Sequence, residues 1–153
     1  MNNRKVNIIL GIAGAVLGIV SVLTMLATCF GVSDSAGNPS TLGTCYNVAF
    51  GAQGYSAVPL LVIAFVLQIV GCVLSAVGGI LPGKIAAILL GVGGLSFVLG
   101  GIFWFMSPSA FLGINDPGAA ENVILGTGSI LTAVFSLGGG LVTFYTAFRA
   151  FRA

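Results

Sequence analysis

Histidine is absent from this sequence, and formal charge is nearly so, with five basic and three acidic side chains among 153 residues. Without histidine the commonest metal ligand and the usual proton shuttle near neutral pH are missing. A soluble domain carries roughly a quarter of its residues as Asp, Glu, Lys or Arg, against 5% here. The chain therefore lacks the side chains to cover a water-facing surface. One tryptophan, three acids and no histidine cannot be assembled into a phosphate loop, a metal cluster or a nucleophile–base pair. We expect no enzyme, no cofactor and no catalytic or metal site, and the same scarcity gives no sign of a small-molecule substrate or a nucleic-acid partner. Three cysteines are too few for a disulfide framework.

What the sequence has in quantity is apolar surface, at 58% hydrophobic residues and a mean hydropathy of +1.17. Four long apolar runs cover residues 6–30, 57–81, 85–106 and 123–148, and none contains a formal charge. Each exceeds the roughly 20 helical residues needed to cross a hydrocarbon core about 30 Å thick. The runs do not alternate as barrel strands would. The expected fold is an all-α membrane protein, a single four-transmembrane-helix bundle over residues 1–153 with short extracytoplasmic loops. Arg4 and Lys5 before the first run resemble the start of a signal peptide. That run is too long for a signal core, so we read it as an uncleaved helix.

The few charges sort by sign. Arg4 and Lys5 precede the first run, Lys84 lies between the second and third, and Arg149 and Arg152 follow the fourth. Asp34, Asp116 and Glu121 fall in the other two connections. The positive-inside bias therefore predicts a cell-membrane protein with cytoplasmic termini and a cytoplasmic Pro82-Gly83-Lys84 turn. Aromatic residues gather at the expected interfaces: Tyr46, Phe50 and Tyr55, then Phe103, Trp104 and Phe105, then Phe144, Tyr145, Phe148 and Phe151. Amphipathic rings anchor a helix at that depth.

Glycine accounts for 24 residues, mostly inside the runs. Gly128, Thr132, Ser136 and Gly140 recur every four residues in the fourth, Gly14 and Gly18 in the first, Ser96 and Gly100 in the third. Ala64, Gln68, Gly71, Ser75 and Gly79 share one helical face of the second. Small side chains let backbones approach, and close packing drives helix association where lipid is as apolar as leucine. These stripes serve contacts within one protomer by default. Their abundance leads us to expect some at contacts between protomers. Gln68 is the most polar side chain deep in a run, and we expect an interhelical hydrogen bond from it.

Cys29 sits at the outer end of the first span and Cys45 midway along the first outer connection; a bridge between them is expected to stabilise the loop it closes by about 3 kcal/mol, with free thiols as the alternative. Between them Gly37-Asn38-Pro39-Ser40 is turn chemistry, consistent with a small disulfide-bridged β-hairpin. Cys72 sits among apolar neighbours and reads as a small core residue. In the second outer connection Ser107-Pro108 closes the third span, and Asn115-Asp116-Pro117 reads as a helix start with Asp116 as its cap.

No Asp, Glu, Lys, Arg or His lies inside any span, whereas ion-coupled carriers need such groups at membrane depth. Four helices with inside termini, a longer first outer loop holding Cys29 and Cys45, and a tight inner turn resemble the claudin-like tetraspan architecture. That family carries a Trp…Gly-Leu-Trp-Cys…Cys signature in the loop. Here the cysteine pair is present, the tryptophans are absent and the loop is shorter. The resemblance implies lateral assembly through the outer loops. The expected role is structural: a non-enzymatic membrane protein packing laterally into a homo-oligomer or larger membrane assembly, with the lipid bilayer, its own copies or other membrane proteins as partners. The alternatives are a small facilitator or pore formed between protomers, or an accessory subunit of a transporter or channel.

Overall fold

A computed structural model describes residues 3–33, 39–52, 54–115 and 122–152. Asp34, Asp116, Glu121, the Gly37-Asn38 part of the first turn and the expected start at Asp116-Pro117 lie outside them. Four helices are long and apolar enough to cross a membrane: α1 (Asn3–Thr24), α3 (Pro59–Ile80), α4 (Gly83–Phe105) and α6 (Thr127–Arg152). Between α1 and α3 come β1 (Thr28–Ser33), β2 (Pro39–Thr44) and the short helix α2 (Cys45–Phe50). Between α4 and α6 come α5 (Ser107–Asn115) and β3 (Asn122–Leu125).

The long helices form a ring in the order α1–α3–α4–α6, each packed on its two neighbours, with little contact across the α3–α6 diagonal. Successive spans run in opposite directions, so every neighbour in the ring is antiparallel. Pro59 opens α3 at a position where its missing N–H costs nothing. The α3–α4 turn is made by Pro82 and Gly83, the latter at φ 73°, in the left-handed region that glycine enters without strain. The outward faces are bare aliphatic side chains, among them Ile9, Val16, Val73, Ile88, Leu95, Val134 and Leu141, all exposed. Such a surface suits lipid and not water.

The outer ends differ from the expected boundaries. The first span stops at Thr24, six residues before the end of its apolar run, and the fourth begins at Thr127 rather than at 123. Three i→i−3 bonds, from the Met25, Leu26 and Ala27 amides, close α1 in a tight turn. The chain then enters a three-stranded antiparallel sheet in the order β2-β1-β3. Phe30 pairs with Leu42 on one side and Leu125 on the other. An uninterrupted apolar run has no period of its own, so a buried strand attached to a span looks like more span. The second outer connection is likewise structured: α5 follows α4 after the single residue Met106. Asn115 is the last residue of α5, accepting from the Ser56 amide at 2.7 Å and donating to the Ser56 carbonyl at 3.2 Å.

Below the sheet lies the larger apolar core, built from Met25, Phe30, Val48, Leu61, Trp104 and Phe111 with their neighbours. Trp104 is fully buried and so is not the interfacial anchor its place at a span end implies. A smaller cluster of Ala86, Ala87, Leu90 and Ala150 closes the inner end between α4 and α6.

Candidate functional site

The bundle axis carries most of the residues singled out by pattern, in layers. At the inner end α1 and α3 meet backbone to backbone: a Cβ on Gly11 would lie 2.7 Å from the Gly79 Cα, and one on Gly79 would lie 2.9 Å from the Gly11 Cα. Ser75 Oγ donates to the Gly11 carbonyl at 2.9 Å and lies 3.0 Å from Thr143 Oγ1. Thr143 in turn donates to the Gly139 carbonyl at 2.7 Å. Gly14 sits directly beneath these two hydroxyls, with no room for a side chain. Hydroxyls here bridge α1, α3 and α6 at once.

The next layer is filled by one ring. Phe97 of α4 is completely buried, and Gly18 of α1, Gly71 of α3 and Gly139 of α6 face it. A Cβ at Gly18 would run into the Phe97 ring and the Cys72 thiol; one at Gly71 would come within 2.8 Å of the ring. Glycines on three helices thus clear the space that one aromatic side chain occupies. Gly140 faces Val98 and the Gly94 carbonyl, while Ser136 donates to the Phe97 carbonyl at 2.7 Å.

Outward of Phe97, Gln68 Nε2 donates to Ser21 Oγ at 2.8 Å, which donates to the Thr132 carbonyl at 2.7 Å. Thr24 and Thr132 hydroxyls meet at 3.0 Å. The Gln68 contact is an interhelical bond from α3 to α1, while its Oε1 is buried without a partner. Gly100 packs on the Ala64 carbonyl and the Gln68 stem, each 3.2 Å from a built Cβ. Ser96 is buried, but its hydroxyl turns back to its own helix at Val92 and bridges nothing.

The outermost layer joins the bundle to the sheet. A Cβ on Gly128 would fall 2.7 Å from the Ala27 and Thr28 carbonyls, and one on Gly126 equally close to the carbonyls of Thr28 and Cys29. The span-four stripe therefore meets the α1–β1 joint at Gly128, α1 at Thr132 and α4 at Ser136 and Gly140. Ser129 Oγ donates to the Cys29 carbonyl at 2.8 Å and lies 3.2 Å from Cys29 Sγ and 3.7 Å from Cys45 Sγ.

The expected Cys29–Cys45 disulfide is not formed. Both residues are buried free thiols, hydrogen-bonded to each other and to Ser129. Cys29 follows Thr28 in β1, and Cys45 opens α2 directly after Thr44, the residue that pairs with Thr28, so the register brings the two cysteines close. Their mutual hydrogen bond, followed by burial, pushes the Cys29 thiol up; the same bond lowers Cys45 against the opposing effect of burial.

The chain matches no protein-family model and no curated protein sequence. Its four apolar spans fit a tetraspan topology, and the claudin-like likeness rests on that topology and the cysteine pair alone.

The five basic residues gather at one end. Arg4 and Lys5 begin α1, Lys84 begins α4, and Arg149 and Arg152 end α6. The Arg152 guanidinium stands 4.0 Å over the Phe148 ring, and that of Arg149 is 5.9 Å from the Tyr145 ring centroid. The pattern-based reading missed Gly11, Phe97, Ser21 and Ser129. Gly11 continues the Gly14–Gly18 face at helical spacing and was recoverable. Phe97 carries no signal, because one buried phenylalanine in an apolar run looks like any other.

Proposed function

We propose that this chain is a non-enzymatic protein of the cell membrane, with both termini and the α3–α4 turn in the cytoplasm, whose role is to pack laterally with copies of itself. The outer sheet carries the proposal. Its central strand β1 is paired on both sides, and among the described residues no further strand pairs with β2 or β3. An unpaired strand edge is a template for another chain. Two different edges on opposite sides of one sheet suit a head-to-tail contact, in which β3 of one copy meets β2 of the next and builds a row. The cytoplasmic placement is supported by the gathering of all five basic residues at the opposite end.

The small-residue stripes support this division of labour by what they leave over. They meet neighbouring elements of the same chain, so contacts between copies fall to the sheet edges and the outer aliphatic faces. Phe97 fills the axis of the protomer, so the lumen of the pore alternative would have to lie between protomers, where that reading places it.

Thr41 and Ile124 both pair with Gly31, so they lie in one row across the sheet, and both are exposed. With the native cysteines replaced by serine, Thr41→Cys combined with Ile124→Cys should give a ladder of cross-linked multimers in native membranes under mild oxidation. Either substitution alone should give no ladder, because the residue it faces on the next copy is then not a cysteine. A strictly monomeric protein in mild detergent at every concentration, with no ladder in membranes, would sink the assembly proposal. Orientation is read separately: Gly113→Cys should label with an impermeant maleimide on intact cells, and Lys84→Cys should not.

A further inference from the structure

At the basic end, the seam between α4 and α6 opens into an apolar groove of about 430 Å³, lined by Ala87, Ile88, Phe144, Ala147, Phe148 and Phe151. Its small residues, Ala87 and Ala147, lie against the inner core cluster. Its rims, Ile88, Phe148 and Phe151, are exposed on the lipid-facing side. Helical spacing puts Lys84, Ala87, Ile88 and Gly91 on one face of α4. Gly91, one turn beyond Ala87 and Ile88 on that face, has open space around it: a Cβ there would meet nothing within 4 Å.

The inner mouth of the groove is cationic. Lys84 precedes Ile88 by one helical turn, and the Arg152 guanidinium is held over the Phe148 ring that forms the groove wall. Arg149 lies on the same last turn of α6. All three acids of the chain fall in the sequence of the two outer connections, and none in a span or in the α3–α4 turn. An apolar slot at the membrane surface, capped by cations that no acidic side chain meets among the described residues, has the shape and charge of one ligand class.

We infer that this groove holds an acyl chain of an anionic phospholipid, with its phosphate held by Lys84 and Arg152. A zwitterionic headgroup would bring its own cation to a mouth that Lys84 and Arg152 already make cationic. A second copy of this chain docking groove to groove would set the same cations against each other, which an isologous contact cannot avoid. A free inorganic anion would meet the cations and leave the groove unfilled. The inference goes beyond lateral assembly and does not depend on it, since the site lies within one protomer.

The test uses the full chain in mild non-ionic detergent, with phosphatidylglycerol and phosphatidylcholine of identical acyl chains added in competition. Lipid retained on the monomer is read by native mass spectrometry. Phosphatidylglycerol should be retained preferentially. Lys84→Gln and Arg152→Gln, both at exposed positions, should each lower its retention about fivefold and leave phosphatidylcholine unchanged. Gly91→Leu, which fills the groove from a position with open space, should lower retention of both lipids. Equal retention of the two lipids by the unmodified protein would overturn the inference, as would unchanged phosphatidylglycerol retention in the double Lys84→Gln, Arg152→Gln variant. Full displacement of the lipid by millimolar inorganic phosphate, or a dimer in which the groove excludes lipid, would overturn it too.

Discussion

The two halves of this bundle are closed by different means. At the inner end α1 and α3 touch through Gly11 and Gly79, with Ser75 and Thr143 filling the remaining space. At the outer end Trp104, Phe30, Met25 and Leu61 lie fully buried between the helices and the sheet. In the middle of a bilayer, leucine gains nothing by leaving lipid, so what holds helices together is close contact and hydrogen bonds between small polar side chains. Toward the outer surface water returns, and with it the reason for large apolar side chains to hide. The sheet and α2 supply the cover they need. One chain thus follows membrane packing rules at one end and globular packing rules at the other.

That contrast can be broken most sharply at Trp104. Trp104→Ala should destabilise the protein by about 3–5 kcal/mol, read as a shift of the unfolding midpoint in a denaturing-detergent titration. Trp104→Phe should cost under about 1.5 kcal/mol, because the indole Nε1 is buried without a hydrogen-bond partner and its loss removes no bond. If alanine is tolerated as well as phenylalanine, the outer core is not packed on this ring.

The next largest effect concerns the thiol pair. Treating the protein with a diazene-type oxidant should convert Cys29 and Cys45 to a disulfide, the oxidant accepting two electrons and two protons. Maleimide labelling after denaturation should then fall from three thiols to one, Cys72. Closing this loop should raise stability by about 3 kcal/mol, provided unfolding of the outer layer limits the transition. Three reactive thiols after oxidation would show that the sulfurs are not neighbours.

At the inner end, Gly79→Leu should cost about 1–3 kcal/mol, as overpacking does when the obstacle is backbone. The same substitution at Gly113, which has open space around it, should cost much less. Equal costs at the two positions would erase the distinction between the halves. The smallest effect belongs to Ser75→Ala, which removes the hydroxyl bridging α1 and α6 and should cost about 1 kcal/mol or less. A loss well above that would mean the inner half depends on hydroxyl bridges rather than on glycine contact.

The features legible from pattern are those that repeat. The four spans and the Gly14–Gly18 and Gly71–Ser75–Gly79 faces follow from long apolar runs and a helical period, so reading along the chain finds them. The sorting of Arg4, Lys5, Lys84, Arg149 and Arg152 to one end follows from counting spans. The Gln68 hydrogen bond follows from the cost of a polar group at that depth, although the pattern could not name Ser21 as its partner.

Composition and periodicity by themselves determined that this protein has four apolar spans, that its helices pack through small residues, and that its charges collect at one end. Each is a one-dimensional consequence of a bilayer of fixed thickness and low polarity. The tertiary structure decided where apolar sequence stops being helix and becomes strand, at Thr28–Ser33 and Asn122–Leu125. Those strands exist because they pair with each other across nearly a hundred residues of chain. It also decided that Phe97 fills the axis, since a plug is defined only by the glycines that three other helices bring around it. The same holds for the two thiols on Ser129 and for the groove beneath Lys84 and Arg152. Each joins residues far apart in sequence whose proximity no local pattern records.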